Sequence, residues 1–559
     1  MFKTISMLFI AFAMAISTLN AQNFQWAKSM GGTLDDSGNS IAIDALGNVY
    51  TTGSFVGTAD FDPGPGTFNL TSSGFSEIFI SKFDASGNFV WAKSMEGSIG
   101  NSGSSLVLDA SGNVYTTGYF QGTVDFDPGA GTFNLISAGG FDIFISKLDN
   151  AGNFVWAKSM GGSMEDVGWS IALDASNNIY TTGRFNATVD FDPGAGSFNL
   201  SSIGSGDVFI SKLDNSGNFV WAKSMGSSGL DNSNCITIDA SNNVYTTGIF
   251  SGTMDFDPGA GTFNLTSAGG YDIFISKLDN SGDFVWAKSM GGTSTELSRS
   301  IAIDATNYVY TTGRYQGTAD FDPGAGSFNL TSPSASNFTI FVSKLDASGN
   351  FVWAKSMGGT MNDQGASIAL DASGNVYSTG SFTGTADFDP GIGTFNPVSA
   401  GGADIYISKL DNSGNFVWAK SVGGADDDNS NFITLDAVGD VYITGRFKGT
   451  ADFDPGVGSY DMTSAGSQDI FLLKLDKSAT GILDIISNGS FQIYPNPTNG
   501  WLNFSSPCHI QLANLTGQII VEKKQVTNLD LTDQSSGIYI LSLTDNDGQV
   551  IQKRKIVKY

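Results

Sequence analysis

The sequence predicts an all-β protein: a seven-bladed β-propeller with four-stranded blades, followed by a small C-terminal β-sandwich. Three observations predict it. The tripeptide Trp-Ala-Lys recurs at Trp26, Trp91, Trp156, Trp221, Trp286, Trp353 and Trp418, at spacings of 65, 65, 65, 65, 67 and 65 residues. A fixed long period marks a repeat architecture. Each unit holds four short β-branched or aromatic runs and none of helical length or period. Composition agrees: 71 Gly, 42 Phe and 14% charged residues, where an average globular chain has about 25% charged.

The unit that starts at Ser170 gives the elements in order. Ile171 to Asp174, Ile179 to Phe185, Asp207 to Asp214 and Phe219 to Met225 read as strands. DASNN joins the first two and DNSGN the last two, both turn-forming stretches. A longer connection with DFDPGAG links the middle pair. A parallel β-helix is the rival, but its coils are shorter, and two tight hairpins per unit demand antiparallel meanders. The array also begins with a lone last strand, Phe24 to Met30, and ends after a third strand, Asp469 to Asp476. Pairing these two closes a ring and removes a free edge. The two hairpins then share one end of every blade. The inter-blade stretches, such as GGTLDDSGN, GGSMEDVGW and GSSGLDNSN, differ most. That variable face, or the central channel, is the expected ligand side; relaxed drift is the competing reading.

Charge narrows the partners. The net charge of −27 falls on the repeats, because the chain from Asp484 onward is neutral and the leader carries only Lys3. Such a body repels nucleic acid and anionic membrane. The two cysteines, Cys235 and Cys508, lie in different segments, so no disulfide framework is expected. The one histidine, His509, lies outside the repeats. They therefore hold no Ser-His-Asp triad, Cys-His pair or His-ligated zinc. No enzyme is expected. The N-terminus reads as a signal peptide: Lys3, an apolar run from Met7 to Ile16, and cleavage after Ala21. No transmembrane segment follows in the mature chain.

The repeated Asp pairs come first among candidate sites. They are Asp60/Asp62, Asp125/Asp127, Asp190/Asp192, Asp255/Asp257, Asp320/Asp322, Asp387/Asp389 and Asp452/Asp454, each in Asp-Phe-Asp-Pro-Gly. They read as Asx-type turns or as the start of a calcium loop, although the full calcium-loop spacing is absent. No other cofactor is expected. The seven tryptophans read as blade packing or as sugar platforms, and the first is expected of residues at identical places. Exceptions to the repeat are better ligand candidates. Trp169 is one, read as part of a variable loop. After Thr-Gly, where other units place Ser54, Tyr119, Ile249 and Ser381, stand Arg184, Arg314 and Arg446. These arginines meet either an anionic ligand or local aspartates.

DASGNVYTTG, DIFISKLDNSGN and FVWAKSMGG resemble the SBBP-type propeller repeats of bacterial extracellular proteins, from Phe24 to about Lys477. The resemblance implies a propeller and no activity. After a linker, Tyr494-Pro495-Asn496-Pro497-Thr-Asn-Gly500, Leu515-Thr-Gly517-Gln, Gly537-Ile-Tyr539 and the basic end Lys553 to Lys558 resemble the type A sorting domain of the type IX secretion system. Strands are expected at 501–504, 509–513, 518–522, 538–544 and 550–558, with a turn at Asn546-Asp547-Gly548. The expected domains are a leader (1–21), propeller (22–476), linker (477–490) and sorting domain (491–559). The resemblance implies Sec export, then type IX export, leaving the chain secreted or attached to the outer surface. The type IX machinery is then one partner, and an extracellular glycan or protein ligand another. The expected function is a binding or scaffold module; a purely structural surface protein is the alternative, and a secreted hydrolase the remote one.

Overall fold

The computed structural model describes residues 22–73, 75–97, 99–477, 493–494, 498–514, 518–544 and 550–558. The leader with its cleavage point after Ala21, residues 478–490 of the linker, Pro495 to Pro497, Gly517 and the turn at 546–548 lie outside the described residues. The chain divides into two compact units, one of residues 21–477 and one holding the C-terminal strands. Regular structure among the described residues is all β, and no helix there is long and apolar enough to cross a membrane.

In the larger unit, strands pair as antiparallel four-stranded meanders. The first holds Ser37–Ile43, Val49–Phe55, Glu77–Phe83 and Phe89–Gly97. The repeat read from Ser170 forms Val167–Leu173, Ile179–Phe185, Asp207–Leu213 and Phe219–Met225. The last meander, Asn429–Leu435, Val441–Asp452 and Asp461–Lys477, takes its fourth strand from the N-terminus: Gln22–Gly32 pairs along it from Gln22↔Lys477 to Met30↔Ile470. First strands touch from sheet to sheet, and Ser37–Ile43 meets Asn429–Leu435 to complete the cycle.

Local chemistry explains these elements. Asp44 Oδ1 accepts the amides of Leu46 and Asn48, both at 2.9 Å, which closes the first hairpin. Gly47 follows at φ +81°, and Asn177, Asn242 and Asn307 fill that left-handed place in other repeats. The second strand is enclosed on both faces, so its hydroxyls need partners. Thr51 and Thr52 donate to the carbonyls of Ser40 and Phe79 at 2.8 and 2.7 Å.

Apolar side chains meet between neighbouring sheets. Phe55, Phe61 and Phe79 of the first repeat pack with Met30, Ile470 and Leu472 of the last sheet. Comparable clusters fill the other junctions. The repeated polar residues reinforce them. Tyr50, Lys82 and Trp91 stand opposite one another across three strands. The Lys82 ammonium lies 4.9 Å from the Tyr50 ring centre, and Trp91 meets that ring edge-on at 6.2 Å. Lys82 Nζ and Trp91 Nε1 both donate to Asn150 in the next sheet's turn.

The long connection departs from the open loop that its composition suggests. Thr58–Asp60 and Asn69–Thr71 form a short hairpin, which continues onto the preceding sheet's outer strand through Gly31↔Asp60 and Gly32↔Ala59. Other repeats do the same, as in Gly161↔Asp190 and Gly291↔Asp320. An outer strand is an unpaired edge, and the excursion covers part of it.

In the smaller unit, the two predicted runs at 501–504 and 509–513 are one strand, Trp501–Ala513, whose pairing is interrupted between Asn503 and Cys508. It pairs with Ile493–Tyr494, Ile519–Asp530 and Gly537–Thr544, and the last of these pairs with Val550–Lys558. Leu502, Leu512, Leu529, Tyr539, Leu541 and Ile556 are among its core. The Tyr539 hydroxyl donates to the Ser535 carbonyl at 2.5 Å. At the entry, the Thr498 amide donates to the Val557 carbonyl, and Gly500 accepts from Leu531.

Candidate functional site

Each first strand carries one extra residue. Pairing jumps from Gly38 to Ser40 in the first sheet, leaving Asn39 bulged, and the same jump leaves out Ser104, Trp169, Asn234, Arg299, Ala366 and Asn431. A bulge re-aims its side chain. Because the first strands ring the centre, these seven side chains line one cavity of about 420 Å3. They are Asn in three repeats and Ser, Trp, Arg or Ala in the other four.

The seven do not act alike. Asn39, Asn234 and Asn431 each donate from Nδ2 to a carbonyl of the next first strand, those of Gly103, Ser298 and Gly38, at 3.0, 2.7 and 2.9 Å. They staple neighbouring sheets. Trp169 and Arg299 do something else. Trp169 meets the Tyr119 ring edge-on at 6.2 Å, and its Nε1 is buried with no hydrogen-bond partner. Arg299 makes no hydrogen bond or ion pair with any described residue. Its side chain is exposed to the channel, and partial desolvation by the surrounding protein lowers its pKa from the ordinary value.

The sequence-predicted ligand residues separate. Trp169 lies within the strand Val167–Leu173 and not in a loop; the bulge breaks the alternation that would have marked it as strand. Arg446 lines the cavity and makes no ion pair with a described residue. Arg184 reaches Glu165 at 3.9 Å. Arg314 donates to Gln364 Oε1 at 3.1 Å, lies 4.3 Å from the Phe338 ring centre, and lines a separate cavity of about 280 Å3. Arg299 escapes a reading by motif. Aligning the residue three places after the acid or amide that opens each first strand is the signal that finds it.

The Asp-Phe-Asp carboxylates, the candidate calcium ligands, face their own turns. Asp60 Oδ1 accepts the amides of Asp62 and Phe68 at 3.0 and 2.8 Å, and Asp62 Oδ1 accepts that of Gly64 at 2.8 Å. Asp190 and Asp192 repeat the pattern with Phe198 and Gly194. So do Asp125 and Asp127 with Phe133 and Gly129, and Asp255 and Asp257 with Phe263 and Gly259. Asp320 and Asp322 take the amides of Phe328 and Gly324 in the same way. Asp387 and Asp389 take those of Phe395 and Gly391. Asp452 and Asp454 take those of Tyr460 and Gly456.

In this geometry Asp62, Asp127, Asp192, Asp257, Asp322, Asp389 and Asp454, and the first aspartate of each pair, accept backbone amides as in an Asx-type turn. A calcium ion takes about six to eight oxygens. Among the described residues no group of three or more acidic, His or Cys side chains gathers to supply them. The bonds to backbone amides hold the excursion closed without help, so adding a calcium chelator is expected to leave the melting temperature unchanged within about 2 °C. A fall of several degrees in a thermal scan would instead establish bound calcium.

A second set of acids, without a motif in the sequence, lies at the sheet junctions. Asp469 faces Asp36 there: a Cβ on Gly31 would meet Asp469 Oδ1 at 2.6 Å and Asp36 Oδ2 at 2.9 Å. Asp142/Asp166, Asp207/Asp231, Asp272/Glu296 and Asp404/Asp428 repeat the pair, and all these side chains are buried. Two junctions hold one acid each, as Glu77/Asn101 and Thr339/Asp363. Asp36 accepts the amides of Gly32 and Val56 at 2.7 and 2.9 Å. Oδ1 of Asp142, Asp272, Asp404 and Asp469 has no partner. Burial, with the facing acid adding to it, pushes Asp36, Asp166 and Asp428 up to about 7. Burial alone pushes Asp142 and Asp404 up to about 6.

Comparison with known proteins finds a match in each unit. Residues 25–54 match the β-propeller repeat, and residues 492–558 match the secretion system C-terminal sorting domain. The chain carries a type IX export signal. That domain engages the type IX machinery and directs export, either to the cell surface or into the medium. The chain is 25% identical over 475 residues to an uncharacterized WD repeat-containing protein of Acanthamoeba polyphaga mimivirus, covering 70% of this chain and 34% of that protein. Over 265 residues it is 25% identical to the regulatory protein FlaEY of Caulobacter vibrioides, covering 45% and 26%. It thus spans about a third or less of these curated relatives. Among solved structures it is similar to Sqt1 from Chaetomium thermophilum, at 13% identity and TM-score 0.38, over 81% of this chain and 99% of that one.

Proposed function

We propose that this is an exported binding module: a seven-bladed propeller whose central channel receives a small polar ligand, joined to a C-terminal sandwich that directs export. The cycle of first-strand contacts and the N-terminal strand in the last meander support seven blades. The interrupted pairing of Trp501–Ala513 supports the sandwich. One observation carries the binding reading. Seven equivalent bulged residues face one cavity, and Trp169 and Arg299 among them depart from the small polar residues at most of the equivalent places. A cavity of about 420 Å3 is within the range of small-ligand sites. A rigid ring with individual residues aimed inward is suited to recognition, since ordering costs are met in folding. It supplies no nucleophile–base pair, and we read the protein as a non-enzyme.

The test is a screen of the purified protein on glycan and protein arrays, repeated with Trp169→Ser, which installs the second sheet's bulge residue. The variant should keep the wild-type melting temperature and bind the captured ligand at least about tenfold more weakly, as for loss of one buried aromatic contact. Unchanged affinity would remove the channel from the reading. Silence on both arrays would favour a purely structural surface protein.

A further inference from the structure

The channel's charge runs against that of the body around it. The repeats carry nearly all of the chain's net charge of −27, yet no carboxylate lines the cavity. Its charged lining residues are Arg299 and Arg446. Neither guanidinium makes a hydrogen bond or ion pair with a described residue, although Asp and Glu total 54 in the chain. Arg314, in the same sheet as Arg299, lies close enough to add a repulsive contribution. Both side chains are exposed within the channel, where a ligand can reach them. The planar guanidinium fork fits a carboxylate through two parallel hydrogen bonds.

The rest of the lining is suited to a hydroxyl-rich partner. Ser104 Oγ is buried and unpartnered beside the channel, as is Trp169 Nε1. Tyr119 braces the Trp169 ring edge-on, leaving an aromatic surface of the kind that packs on a sugar's C–H face. Gln364 and Asn232 add amide groups to the lining.

Resting on the channel reading above, we propose that the ligand is an acidic saccharide, its carboxylate held by Arg299 and Arg446 and its ring against Trp169. The full mature chain would be titrated calorimetrically with oligogalacturonate, sialyllactose and a heparin-derived tetrasaccharide, alongside methyl-esterified oligogalacturonate and lactose as uncharged counterparts. At least one acidic probe should bind, its uncharged counterpart at least tenfold more weakly. Arg299→Gln and Arg446→Gln should each weaken that binding at least tenfold, with Arg299→Lys recovering part of the loss. Raising salt should weaken it too. Melting temperatures of the variants separate lost binding from lost folding. Binding of lactose and the ester alone would overturn the acidic ligand while leaving the channel reading intact. Binding unmoved by Trp169→Ser and both arginine variants would overturn both. If no acidic probe binds, or a peptide's free C-terminus displaces the sugar from the same site more tightly, the saccharide proposal fails.

Discussion

Raising the pH from 5 to 8 is expected to lower the melting temperature of the repeat unit by on the order of 10 °C. The cause is the set of facing acids buried between sheets. In the unfolded chain these groups titrate near 3.8, or near 4.5 for Glu; in the fold Asp142, Asp207, Asp272, Asp404 and Asp469 are pushed up to about 6, Asp36, Asp166 and Asp428 to about 7, and Glu296 to about 8. The folded state therefore binds protons that the unfolded state releases. The stability this gives is fully present below about pH 4 and is lost as pH rises through 6 to 8. Each pK unit is about 1.4 kcal/mol, so five pairs, counted as one shared proton each, sum to on the order of 10 kcal/mol. Protonation also gives the unpartnered Oδ1 of Asp142 or Asp469 a hydrogen to donate.

One substitution isolates the effect. Asp142→Asn keeps an acceptor for the Ala138 amide, places an Nδ2 donor where Oδ1 has no partner, and removes one of the two facing acids. The Glu77/Asn101 junction already buries one acid and one amide. The variant should match the wild type at pH 5 and melt higher at pH 8, by about 2 °C. A wild-type melting temperature that rises between pH 5 and 8 would contradict the whole account.

The second large effect is expected from deleting residues 22–32 in protein made without residues 1–21. That strand pairs along Asp461–Lys477 from Gln22↔Lys477 to Met30↔Ile470, and its end carries the first excursion hairpin through Gly31↔Asp60. Without it, the last meander has three strands, and Ile470 and Leu472 lose Met30 from their cluster. The loss of Met30 alone is worth about 2–5 kcal/mol. The exposed edge of Asp461–Lys477 is then a template for another chain. Size-exclusion chromatography should show oligomers, and denaturant unfolding should lose its single sharp transition. A monomer with the wild-type midpoint would mean that the N-terminal strand is dispensable.

Much of this is legible along the chain because it is local. Asp44 and Gly47, or Asp174 and Asn177, dictate a hairpin by the bonds and φ values open to them, and no distant residue is needed. The swap of Gly for Asn in that place reads correctly in sequence for the same reason. Trp91 and Lys82 read as packing residues because they recur, and they do contact a common Tyr50. Trp169 is legible as an exception but reads as a loop residue, since one inserted residue shifts the alternation on which strand recognition rests. Arg299 and Arg446 are not legible as partners, because they lie in different sheets, 147 residues apart.

Repetition, turn chemistry and the terminal motif thus determined the strand order, the ring's economy of four strands per repeat, and the export signal. Tertiary structure decided the rest. Whether an aspartate bonds its own turn, as Asp60 does, or faces another acid across a junction, as Asp142 does, depends on which residues of distant repeats come within a few ångströms. Burial then sets its proton affinity. The channel is decided in the same way: seven bulges matter only once seven first strands share a centre, and the arginines there are unpaired because the fold keeps every carboxylate out of the lining.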